Sequence, residues 1–212
     1  MVGVAAGRFP VMDPEQNPGG KLVVQDAATM RALAHPARVA SLEHLMRGGP
    51  ATATELGRVA GLTPSAMSYH LRLLERAGLI STAPGRGDGR ERVWQSNQSG
   101  GWEVDTLDGG TADSRAVSAE LLRSVLSVQE LQLSRWLSRA DEPGWLDTGY
   151  FVETGILVNN AELVALGEQI QQLMDQYRTT KRTNPPDDAV LHRAAFRGFP
   201  IADPLPEVDV KE

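Results

Sequence analysis

The run Thr63-Pro64-Ser65-Ala66-Met67-Ser68-Tyr69-His70-Leu71-Arg72-Leu73-Leu74-Glu75-Arg76-Ala77-Gly78 decides the fold. Thr63 can accept a hydrogen bond from a first-turn N–H, and Pro64 stands where a missing N–H costs nothing, so a helix starts here. Gly78 can take the left-handed conformation that closes a helix, and the apolar pair Leu79-Ile80 then begins something extended. Met67, Leu71 and Leu74 recur at three- and four-residue spacing and form an inward face. The outer face carries Ser65, Ala66, Ser68, Tyr69 and Arg72, poor in acids and rich in small polar groups that let a backbone approach base edges and phosphates. It reads as a helix that enters a DNA groove.

Working outward, Ala53 to Ala60 is a short helix with Thr52 or Thr54 as its cap, and Gly61-Leu62 leaves only a tight turn before Thr63. Two helices joined this closely make a helix-turn-helix. Downstream, Leu79 to Ala83 and Arg90 to Gln95 read as two strands around Pro84-Gly85-Arg86-Gly87-Asp88-Gly89, a hairpin wing with an arginine-studded tip. The glycine-rich tip is no phosphate-cradling loop, because such a loop opens a helix and here a strand follows. Trp94 is expected in the core.

Three runs together carry a family resemblance: Leu33-Ala34-His35-Pro36-Ala37-Arg38, Ser68 through Ile80, and Gly89-Arg90-Glu91-Arg92-Val93-Trp94. In order and spacing they resemble the winged helix-turn-helix repressors of the ArsR type. The resemblance implies a transcription factor, and a second copy as the partner of a dimerisation helix.

Composition sets the bounds. The 212 residues allow one good core and a small further domain. No apolar run approaches a membrane span, and Met1 to Gly20 lacks the basic start and apolar stretch of a signal peptide, so a cytoplasmic protein with no membrane partner is expected. With no cysteine, disulfides and thiolate metal sites are excluded. The net charge of -6 divides unevenly: residues 21 to 98 hold ten Lys/Arg against six acids, residues 99 to 212 ten against nineteen. The basic excess lies on the helix-turn-helix, and the acidic remainder would repel a polyanion, which favours docking through one face. Taken alone, the excess could be ordinary scatter.

In chain order, residues 1–20 read as a mobile tail and 21–98 as the winged helix-turn-helix domain, with a helix capped by Asp26 and broken at His35-Pro36. A second helix from Pro36 has Val39, Leu42, Leu45 and Met46 as its inner stripe. His35 is expected as a turn residue and His44 at the surface. Residues 99–111 read as a linker anchored by Trp102. A long helix is expected within 112–144, about Ala112 to Ala140, with Asp113 as its cap and Pro143-Gly144 as its stop. It has two apolar stripes: Val117, Leu121, Val125 and Val128 on one, Leu122, Leu126, Leu133, Trp136 and Leu137 on the other. A monomer's surface helix needs one. The second stripe suits a homodimer interface of Leu122, Leu126, Leu133 and Trp136, or else burial between two domains of one subunit. Residues 145–200 read as a small α/β unit, strand-helix-strand, in which Asn159 and Glu162 make a capping box and the strands are 149–158 and 189–196. Its aromatic residues fill a second core or line an apolar site. Residues 201–212 are an acidic tail. The fold class is mostly α with small β.

The reading that follows is a DNA-binding homodimeric repressor on a pseudo-palindromic operator of double-stranded DNA. Groove contacts fall to Ser65, Ala66, Ser68, Tyr69 and Arg72, with His70 as a further candidate. Thr52, Thr54 and Thr63 can offer hydroxyls to phosphate, and Arg86, Arg90 and Arg92 can reach backbone or minor groove. ArsR-type proteins often sense metals through cysteines or through His with carboxylates on the dimer helix. This long helix has no His and the chain no Cys, so no metal or other cofactor is expected, and an unidentified small-molecule effector stays open. No nucleophile elbow or metal spacing supports an enzyme. The alternative is a winged-helix protein-interaction module without sequence-specific DNA binding.

Overall fold

The computed structural model describes residues 22–85, 91–98, 101–104, 111–178 and 182–201. Two compact units divide the chain, Met1–Tyr150 and Phe151–Glu212. The tails expected at 1–20 and 201–212 lie outside the described residues, apart from Ile201.

In the first unit the order is β1 (Leu22–Val24), α1 (Ala27–Leu33), α2 (Pro36–Gly48), β2 (Ala51–Thr52), α3 (Ala53–Ala60), α4 (Pro64–Arg76), β3 (Ile80–Ala83), β4 (Val93–Ser96), β5 (Trp102–Val104) and α5 (Ala112–Leu137). Each helix from α1 to α4 starts on a side-chain cap. Asp26 accepts from the Thr29 N–H, His35 Nδ1 from Ala37, Thr52 from Glu55 in a reciprocal capping box, and Thr63 from Ala66. The helices close on one core of Leu33, Val39, Leu42, Leu56, Met67, Leu71, Leu74 and Trp94, into which α5 sends Val117, Leu121, Val125 and Val128. One sheet has the order β2-β4-β3, antiparallel, with Ala51 opposite Trp94 and Thr82 also beside it. This is a winged helix.

Several boundaries differ from the sequence reading. The wing strands are shorter, and β2, only two residues long, was not foreseen. The segment read as a linker at 99–111 contains β5, which pairs in parallel with β1, Leu22 opposite Trp102. Thr111, not Asp113, caps α5, because its hydroxyl oxygen reaches the Ser114 N–H; Asp113 in the first turn meets Arg31 of α1 instead. Helix α5 ends at Leu137, before Ala140. A turn then folds back, Trp145 Nε1 donates to the Trp136 carbonyl, and the Arg139 guanidinium lies 3.5 Å over the Trp145 ring.

The second unit holds α6 (Asn160–Asp175), opened by the expected Asn159–Glu162 capping box. The strands expected at 149–158 and 189–196 are a correction: neither segment is paired. A strand exists only as part of a ladder, and among the described residues no partner edge meets either one. The returning chain lies on α6 through side chains instead: the Phe196 ring faces Gly167, and Gly198 packs tightly on Leu163. No described residue of this unit is buried.

Candidate nucleic-acid interface

Helix α4 buries Met67, Leu71 and Leu74 completely and turns Ser65, Tyr69 and Arg72 outward, with Tyr69 57% exposed. Ala66 and Ser68 are half-buried beside them. The position of α4 depends on the turn before it. Gly61 (φ 70°) ends α3 in the left-handed region, the Leu62 N–H bonds the Gly57 carbonyl at 2.8 Å, and the chain passes so close to α3 that only glycine fits at position 57.

The wing base then closes on the helix pair. Thr54, Ser65, Ser68, Arg72 and Arg92 line one cleft of about 450 Å³, together with Ala53, Pro64, Glu91 and Trp94. Five candidate contact residues from three separate segments are thus brought together. Thr52 and Thr63 use oxygen lone pairs in capping, and each hydroxyl keeps its own proton to donate. Ser68 gives its proton to the Pro64 carbonyl, and Arg72 Nε donates to the Ser68 carbonyl at 3.2 Å. Arg92 lies over the Trp94 ring and 3.9 Å from Glu75. Arg86 and Arg90 fall outside the described residues. Glu91 was missed, although an acid between two arginines in a basic wing was the available signal.

His70 is the member of the set that the fold turns inward. Its ring lies tilted against His35 at 4.4 Å between centroids, its Nδ1 is enclosed with no hydrogen-bond partner among the described residues, and Tyr69 meets it in a T-shaped contact. Burial, followed by the neighbouring His35 and Arg38, pushes the His70 pKa down, and burial with Arg38 does the same for His35. The other ionisable groups around the cluster are Tyr69 and Glu120, both acting on Arg38. Protonating His35 would also remove the acceptor that caps α2. Both imidazoles are therefore neutral in the folded state at pH values where an unfolded chain would begin to bind protons. Their contribution to stability is full above the ordinary histidine value of about 6.5, begins to fall below it, and is lost as pH drops through the depressed folded values. Thermal melts between neutral and mildly acid pH should show this loss. His35→Asn, which keeps a capping acceptor, should flatten the acid limb; an unchanged profile would rule out this source.

On α5, Leu122, Leu126 and Leu133 are exposed at 38, 43 and 36%. Trp136 is half-buried by its own chain, and its Nε1 donates to the Thr148 hydroxyl. A hollow of about 80 Å³ between α2, α3 and α5, lined by Pro36, Ala40, Val59, Val128 and Leu131 among others, is smaller than ordinary ligand pockets. Among the described residues no three His, Asp or Glu side chains come together to hold a metal ion, and no helix is long and apolar enough to cross a membrane.

Residues 33–83 match a family model described as a helix-turn-helix domain. Over 56 residues the chain is 43% identical to the HTH-type transcriptional regulator NmtR of Mycobacterium tuberculosis, a stretch covering 26% of this chain and 46% of that relative. The match therefore spans less than half of the curated relative's length. Among solved structures, a possible transcriptional regulator for arsenical resistance is similar at 23% identity and a TM-score of 0.29, over 50% of this chain and 95% of that one. A MarR family regulator from Neisseria meningitidis is similar at 20% identity and a TM-score of 0.29, over 66% and 79%.

Proposed function

We infer that this chain, which carries a winged helix-turn-helix of the ArsR type, regulates transcription as a homodimeric, non-enzymatic repressor in the cytoplasm. It binds a pseudo-palindromic operator with one α4 per half-site. The observation that carries this reading is the single cleft in which Thr54, Ser65, Ser68, Arg72 and Arg92 meet. Ser65, Tyr69 and Arg72 read base edges, and Ala66 and Ser68 keep the helix surface low. Thr52, Thr54, Thr63 and the wing arginines Arg86, Arg90 and Arg92 hold the backbone. His70 supports α4 from behind. Leu122, Leu126, Leu133 and Trp136 are assigned to the dimer contact. In a chain without cysteine, any effector acts other than through a cysteine-based metal site.

The test separates position from sequence. Operators selected from random duplexes are compared with unselected DNA across a salt series. Arg92→Ala should weaken both alike and lower the salt slope by about one per lost phosphate contact. Tyr69→Ala and Arg72→Ala should change preference by roughly 1–3 kcal/mol at the affected base pairs. Equal losses on both DNAs from all three changes would contradict the assigned roles. The acidic charge of residues 99 to 212 favours a second reading, a protein-interaction module; absence of duplex binding at moderate salt would select it.

A further inference from the structure

The cleft that gathers the contact candidates also contains a group of the wrong sign for a polyanion. Glu91 is the one carboxylate among the described residues that line it, and it shares the cleft with Thr54, Ser65, Ser68, Arg72 and Arg92. Its position is specified: the Thr54 hydroxyl donates to Glu91 Oε1 at 2.8 Å. The partner is a neutral hydroxyl, so this hydrogen bond does not itself neutralise the carboxylate. Arg92, next in the chain, is engaged elsewhere, over Trp94 and toward Glu75.

Stability is a weak reason for this arrangement. The Thr54–Glu91 pair joins exposed side chains of α3 and the wing base, and a hydrogen bond between groups that water can reach contributes little net. Its chemistry is more telling. A carboxylate accepting from a threonine hydroxyl, in a cleft bordered by two arginines, reproduces what a phosphodiester oxygen would do there: an anionic oxygen on a neutral donor, with guanidinium groups near.

We propose that Glu91 is an internal stand-in for a DNA backbone phosphate, held on the Thr54 hydroxyl in the unbound protein and displaced when a duplex enters the cleft. The proposal rests on the DNA-binding reading above and adds a competitor to it. Seating a phosphate requires the Thr54 proton to change acceptor and the Glu91 carboxylate to move aside, still close enough to repel the incoming charge. This penalty is independent of base sequence. It lowers affinity for operator and random DNA together and leaves the discrimination between them to α4.

A double-mutant cycle with Glu91→Gln and Thr54→Val tests the contact, read as dissociation constants for operator and random duplex across a salt series. Glu91→Gln keeps the shape and removes the charge. It should tighten both DNAs by about three- to fivefold at low salt and steepen the salt dependence by up to about one. In the Thr54→Val background that gain should shrink, because the hydroxyl the carboxylate withholds is gone. The same gain in both backgrounds would mean a diffuse charge effect and overturn the proposal. Unchanged or weaker binding by Glu91→Gln would overturn it too. Weaker binding confined to operators with one C·G pair would make Glu91 a base reader accepting from cytosine N4, again against it. If neither the wild type nor any variant binds duplex, the DNA-binding reading fails first and this inference falls with it.

Discussion

Leu126→Lys should yield monomers and weaken operator binding by roughly 10²–10⁴-fold, the gain that two linked half-site contacts have over one. Helix α5 has 26 residues and is about 39 Å long at 1.5 Å per residue. Its first stripe, Val117, Leu121, Val125 and Val128, is consumed by its own unit. Leu122, Leu126 and Leu133 form a second stripe, and Leu126 at 43% exposure lies within it. An ammonium there cannot be covered by an apolar partner surface without losing its hydration. Because Leu126 is outside the buried core, the variant should fold, and far-ultraviolet circular dichroism checks that it has. Light scattering at micromolar concentration gives the assembly state. A monomeric wild type, or a variant that stays dimeric and bound, would defeat the assignment.

Gly57→Ala should destabilise the winged helix and reduce binding to every DNA sequence. On helix propensity alone, alanine within α3 would gain about 1 kcal/mol over glycine. At this position the new Cβ would sit 2.7 Å from the Leu62 carbonyl oxygen and 3.7 Å from the Pro64 nitrogen. Both are backbone atoms, so the conflict can be relieved only by opening the turn that sets Thr63 and α4. That displacement threatens the Leu62–Gly57 hydrogen bond and the seat of Met67, which is fully buried. Forced backbone shifts of this kind cost about 1–3 kcal/mol, enough to reverse the propensity gain. Chemical denaturation measures the sign directly: equal or raised stability would show that the turn yields freely.

The parts legible in the sequence are those specified locally. Pro64 after Thr63, Gly78 after Ala77, and the Met67-Leu71-Leu74 spacing each act within one or two helical turns, and α4 appears where they place it. The split of α5 into a buried and an exposed stripe was legible for the same reason. Distant encounters were not. The pairing of β1 with β5 depends on a partner 80 positions away, and β2 is too short to show alternation. His70 was read from its own helix, whereas its direction is set by His35 on another element. Thr111 displaced Asp113 as a cap through a difference of two residues, below what composition distinguishes. At 149–158 and 189–196 apolar residues looked strand-like, but pattern cannot supply a second edge to pair with.

The β1–β5 pair also bears on how the domain assembles. Ala83 meets Val93 across a loop ten positions long, whereas Leu22 meets Trp102 across eighty, with the entire winged helix inside the loop. Closing the longer loop costs about 2 kcal/mol more in chain entropy, three doublings of length at about 0.6 each. Three residues per strand in an isolated two-stranded ribbon cannot recover that by themselves. Contacts of this separation form late on topological grounds, after the helices have already brought the two ends near each other. The ribbon is thus a clasp that shuts on a finished domain, and Leu22–Val24 and Trp102–Val104 are released together when it opens.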